Sequence, residues 1–235
     1  MADFIDELIT SLNHLSDPAR AEKMRRFFKE DVKGRGIPAA EINHIARITF
    51  KQISKEPKLV IFRYCERMFE TGYMEECLIA CHWSYAIRKQ YTANDMDRFE
   101  KWITLYVTNW AVCDTFCNKS VGELLLKFPD KLNRLSVLAR SVNRWERRAA
   151  AVSLIVPGRQ GLYLKNIYHI ADLLLEDSDD MVQKGYGWML KVASQKHLTD
   201  VFRFVNERKS KMPRTALRYA IEKMPNDMKA EAMLK

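Results

Sequence analysis

Along the whole chain apolar residues recur at three- and four-residue spacing, and only eight glycines and seven prolines interrupt its 235 residues. That period gathers side chains on one stripe of an α-helix but scatters them over both faces of a strand, so the chain reads as all-α. Helix starts are marked by a capping residue or by a proline suited to a first turn. They fall at Asp17-Pro18, Ile37-Pro38, Glu56-Pro57, Asn94-Asp95, Ser120, Ser178-Asp179-Asp180 and Met212-Pro213. About a dozen helices joined by short loops are expected, forming a single domain over residues 1–235.

Helices in this number build either a globular bundle or a solenoid of stacked pairs. Spacing favours the solenoid. Trp110 and Trp145 are 35 residues apart, Asp114 and Arg148 are 34 apart, and Arg148 and Trp188 are 40 apart. These intervals lie in the range of degenerate HEAT-like repeats. Residues one repeat apart take equivalent places on successive helices, so Asp114, Arg148 and Trp188 are expected on one concave, basic surface.

Charge narrows the partners. Lysine and arginine total 39 against 30 acids, a formal charge of +9 with a pI near 9.3. Such an excess favours a polyanion, nucleic acid before an anionic membrane. The five cysteines are odd in number and lie on helical segments, which suits a reducing cytoplasm better than a disulfide framework. The start, MADFIDELITSL, carries acids where a signal peptide needs bases, and the longest apolar run, 149–156, is too short to span a bilayer.

Three short segments carry the candidate chemistry. In NWAVCDTFCN, Trp110 and Asp114 are four apart and share a helix face, a carboxylate beside an apolar ring. In RWERRAAAVSL, Arg144 and Arg148 are four apart with Arg147 adjacent, a basic stripe suited to phosphates. In MVQKGYGWMLK, Lys184 and Trp188 repeat the spacing. Each has a plainer reading: a lone tryptophan is most often core, an arginine cluster a solvated face, and a helical aspartate an ion-pair partner. Metal chemistry has little support. Cys77-x-x-x-Cys81-His82 and Cys113-x-x-x-Cys117 lack knuckle spacing, the histidines form no H-x-x-x-H pair, and Gly185 and Gly187 form no phosphate loop.

Together the segments resemble the HEAT-like repeat DNA glycosylases of the AlkD type, in the DNA alkylation repair family. The resemblance rests on W-x-x-x-D at Trp110 and Asp114, W-x-x-R-A-A at Trp145 to Ala150, and Q-K-x-x-G-W at Gln183 to Trp188. It runs from DPARAEKMRRFF near residue 17 to PRTALRYAIEKM near 224. It implies excision of cationic N3- and N7-alkylated purines from double-stranded DNA, the first step of base excision repair. Trp110, Asp114 and Trp188 would form the catalytic cleft, and Arg148 would hold backbone phosphate, helped by Arg147, Arg144 and Lys184. No metal, small-molecule cofactor or membrane is implied, and the protein is expected to act as a cytoplasmic, nucleoid-associated monomer. At the N-terminal end, in the part expected to press on the duplex, Phe27 stands where the family often has an aromatic hydroxyl. The basic VKGRGIP, Val32 to Pro38, replaces an apolar turn there.

The chemistry suits these residue types. Breaking an N-glycosidic bond builds positive charge on the sugar, which a nearby carboxylate stabilises and an indole face attracts. The alkylated base is already a good leaving group. Two other readings stay open: a non-catalytic DNA-binding module of the same architecture, and a protein-interaction scaffold.

Overall fold

Most of the start signals act as expected. Asp17 accepts the Arg20 N–H at 2.9 Å with Pro18 in the first turn, and Asp179 accepts from Met181 and Val182 at 2.8 and 3.2 Å. Ser120 is the exception. It is buried inside a π-helical turn, Cys117–Val121, and begins nothing.

The computed structural model describes residues 3–234, all-helical with no strand among them. They fall into two compact units, one ending at Phe116 and the other beginning at Cys117. The first holds α1 (Phe4–His14), α2 (Pro18–Arg25), α3 (Ala39–Ile53), α4 (Lys58–Glu70), α5 (Met74–Ala86), α6 (Asp95–Tyr106) and α7 (Trp110–Phe116). The second holds α8 (Gly122–Lys127), α9 (Arg134–Ala139), α10 (Arg144–Val152), α11 (Ile155–Arg159), α12 (Leu164–Leu173), α13 (Asp180–Ser194), α14 (Leu198–Arg208), α15 (Arg214–Ile221) and α16 (Asn226–Met233). Sixteen α-helices among the described residues replace the dozen expected. Pieces as short as the five residues of α11 fall below what apolar periodicity can separate.

The fold is a helical repeat, and its register can be read from the helix caps. Pro38, Tyr73, Asn109, Asn143, Asp179 and Pro213 precede α3, α5, α7, α10, α13 and α15, and each carbonyl accepts an N–H four residues on. Successive caps are 35, 36, 34, 36 and 34 residues apart. The tryptophan intervals of 35 and 40 residues blur this register because they compare residues at different distances from their caps.

Within the first unit, α5 packs on α3, α4 and α7. Phe62, Phe69, Phe99, Trp102 and Phe116 form its aromatic core, with Phe116 at the end of α7 between 5.1 and 6.1 Å from Phe69, Phe99 and Trp102. In the second unit, α13 is the central helix, packed on α10 and α15. Gly187 makes the second packing possible: a Cβ there would lie 2.6 Å from Tyr219 Cβ and 2.8 Å from the Ala216 carbonyl oxygen. No helix among the described residues is long and apolar enough to cross a membrane.

Candidate functional site

Asn109 sets the start of α7. It is 3% exposed, and its Oδ1 accepts the Val112 N–H at 3.0 Å, satisfying a donor that the first helical turn would leave orphaned. Val112, Cys113 and Phe116 then take the buried face. Trp110 and Asp114 fall together on the other face, both half-buried, as their spacing requires. The aromatic packing of Phe116 fixes α7 from behind, so the carboxylate is carried on a short, anchored helix.

Trp110 is backed by a residue that sequence reasoning did not single out. Phe28 stacks on it, with centroids 5.2 Å apart and planes at 18°. Its neighbour Phe27 turns outward and is 76% exposed. Two adjacent aromatics just past α2 were the available signal; outside a helix, period alone cannot tell which one faces in.

The basic VKGRGIP that follows Phe28 is held against α5. Arg35 is 6% exposed, and Val32 and Ile37 are buried. Glu75, fully buried on α5, accepts through one oxygen the backbone N–H groups of Arg35, Gly36 and Ile37 at 2.9, 2.9 and 3.3 Å. Glu76 accepts Arg35 Nε at 2.7 Å, and Tyr73 stacks beneath the guanidinium with its centroid 4.0 Å away. Gly36 has φ 76°, and a Cβ there would meet the Ala21 nitrogen at 2.6 Å, so the tight approach to α2 requires glycine. Burial pushes the Glu76 carboxyl above the ordinary carboxylate range despite the opposing pull of Arg35.

In the second unit the arginine stripe is present but engaged. Arg147 makes a two-point pair with Asp177 at 2.6 and 3.3 Å and donates to the carbonyls of Ser141 and Val142, both at 3.0 Å. Arg144 Nε lies 2.9 Å from Asp179 Oδ2, and Lys184 pairs with Asp180 at 3.2 Å. Arg148 is only 5% exposed; it lies across Gly185 and donates to the Met181 carbonyl. Asp177 and Asp179 come from the α12–α13 turn, so Arg144, Arg147 and Arg148 tie α10 to the start of α13, whereas Lys184 and Asp180 pair within α13. Trp188 is half-buried on α13, whereas Trp145 is 6% exposed core and is not a second Trp110.

All five cysteines are buried thiols. Burial raises the Cys77 thiol to about 12 and the Cys65 thiol further, which makes them packing residues and not nucleophiles. Among the described residues no group of three or more histidine, cysteine or acidic side chains could hold a metal ion.

A family described as "DNA alkylation repair enzyme" matches residues 8–224. Among solved structures, one described as a predicted DNA alkylation repair enzyme from Enterococcus faecalis is similar in fold, with a TM-score of 0.80. It covers 90% of this chain and 97% of its own at 17% identity. No curated protein matches the chain.

Proposed function

Because the chain belongs to the DNA alkylation repair enzyme family, we propose that it is a monofunctional DNA glycosylase that releases cationic N3- and N7-alkylated purines from duplex DNA. The observation that carries this reading is the shared face of α7: Trp110 and Asp114 stand half-exposed, one turn apart, on a helix whose other face is sealed.

In the proposed reaction the bond between C1′ and N9 of the alkylated purine breaks, and its electron pair neutralises the charge of the departing base. Positive charge passes to the deoxyribose, where the Asp114 carboxylate stabilises it and the Trp110 face attracts it. Water adds to C1′ and loses a proton, for which Asp114 is the positioned acceptor. Nothing need protonate the base, which is cationic before the bond breaks and departs neutral. Trp188 is proposed as a further aromatic contact, and Phe27 as the side chain that meets the duplex.

Arg148 is proposed to act on phosphate while anchored at the Met181 carbonyl, with little freedom left to lose on binding. Arg144 and Lys184 would share phosphate with their carboxylate partners. Arg147, closed off by Asp177 and two carbonyls, is assigned to structure.

The test is release of free 7-methylguanine or 3-methyladenine from methylated duplex DNA. Wild type is expected to release base, and Asp114→Asn to lose nearly all release while keeping DNA affinity. A folded wild type that binds DNA but frees no cationic base would replace the enzyme with a binding module.

A further inference from the structure

Counted from the caps, successive repeats present equivalent pairs at the first and fifth positions. Trp110 and Asp114 follow Asn109, Arg144 and Arg148 follow Asn143, and Asp180 and Lys184 follow Asp179. The next cap, Pro213, adds a pair that the sequence motifs do not mark: Arg214 and Arg218.

This pair differs from its predecessors in the second unit. Arg144 is held by Asp179, Arg148 is buried, and Asp180 and Lys184 neutralise each other. Arg218 is exposed and has no carboxylate partner among the described residues, and Arg214 makes only a long bond, 3.4 Å, to the Met233 carbonyl. The acid one turn beyond, Glu222, is engaged by Lys191 at 2.9 Å, which holds its carboxyl below the ordinary range.

The two arginines also belong to the same surface as Trp188. On α15 the buried side is Ala216, Leu217, Ala220 and Ile221, which leaves Arg214 and Arg218 on the solvent side. Gly187 lets α15 close directly on α13, and Lys191 of α13 reaches over the Tyr219 ring with its ammonium 5.5 Å from the centroid. The half-exposed face of α13, with Lys184, Trp188 and Lys191, therefore continues into Tyr219 and Arg218.

We infer that Arg218, with Arg214 beside it, is a backbone-phosphate contact for duplex DNA, placed on α15 by the repeat register. This rests on the reading of DNA as the partner but not on the chemistry at Asp114. A guanidinium that is exposed, unpaired and carried on a docked helix gives up little to bind phosphate, whereas the α10 arginines must first share or leave their partners.

Equilibrium binding to an undamaged duplex, measured across salt concentrations, tests the inference. Each phosphate contact contributes about 0.9 to the slope of log affinity against log salt. Arg218→Ala should flatten the slope by about one, and the double variant Arg214→Ala/Arg218→Ala by about two. Arg218→Lys should restore most of the Arg218→Ala loss. Lys165→Ala, which removes the same charge from exposed α12, should leave the slope as in wild type. An unchanged slope in Arg218→Ala, or an equal fall in Lys165→Ala, overturns the inference. So does competition by polyglutamate as strong as by duplex DNA, which would make the partner an acidic peptide. If wild type releases no alkylated base yet the slope falls as expected, the glycosylase reading fails and this inference stands; the reverse pattern separates them the other way.

Discussion

Phe28 and Trp110 lie in a near-parallel stack, centroids 5.2 Å apart, although 82 positions separate them in the chain. The indole that would face the sugar thus has a firm back, and its angle is set by a residue on another element. A stack of this kind is worth about 0.5–1.5 kcal/mol beyond simple burial, enough to hold one rotamer. Phe28→Ala should slow single-turnover base release about tenfold, since a misplacement worth about 1.4 kcal/mol has that effect. Phe28→Tyr should keep the rate. Unchanged release in Phe28→Ala would show that Trp110 needs no backing.

Phe27 separates contact from stability. At 76% exposure its ring contributes little to folding, so Phe27→Ala should leave the unfolding free energy from urea denaturation within about 0.5 kcal/mol of wild type. DNA affinity should fall nonetheless. A variant that loses stability but not affinity would assign the ring to packing, contrary to its exposure.

Arg147 is the opposite case. Its guanidinium ties Asp177 to the 141–142 turn, and Asp177's side chain is only 8% exposed. Removing the arginine leaves a shielded carboxylate without its partner, so Arg147→Ala should cost about 2–3 kcal/mol in urea unfolding. The salt slope of DNA binding should stay near that of wild type. A flattened slope with intact stability would return Arg147 to the phosphate contacts.

How far these features can be read without coordinates differs by residue. The helical class, and the starts at Pro18, Pro38, Pro57, Asp95, Asp180 and Pro213, follow from local chemistry: a proline or a capping oxygen needs only its neighbours to act. The shared face of Trp110 and Asp114 follows from helical period alone. What failed to show was pairing over distance. Ser178, Asp179 and Asp180 read as a helix start, yet Asp179 and the neighbouring Asp177 neutralise arginines 35 and 30 residues earlier. Likewise Arg35 reads as one charge of the basic VKGRGIP segment, but Glu76, 41 positions on, draws it inside. The repeat register was obscured because tryptophan, the conspicuous residue, sits at different depths from its caps in each repeat, while the caps themselves are as ordinary as Asn143 and Tyr73.

The buried acids on α5 set a pH dependence whose direction follows from the rise in the Glu76 carboxyl. Its folded value lies above the ordinary one, chiefly through desolvation and despite Arg35. Between those two values the native state therefore binds more protons than the unfolded chain, and lowering the pH through that window stabilises the fold. Above the folded value the ionised, desolvated carboxylate opposes folding, offset chiefly by Arg35. Glu76→Gln cannot take up this proton. The stability of wild type relative to Glu76→Gln should thus grow as pH falls through the window between the folded and the ordinary carboxyl values, by urea denaturation at a series of pH values. A difference that instead shrinks on acidification would mean that the Arg35 pair outweighs desolvation, and the loop that follows Phe28 would be held by an ordinary ion pair.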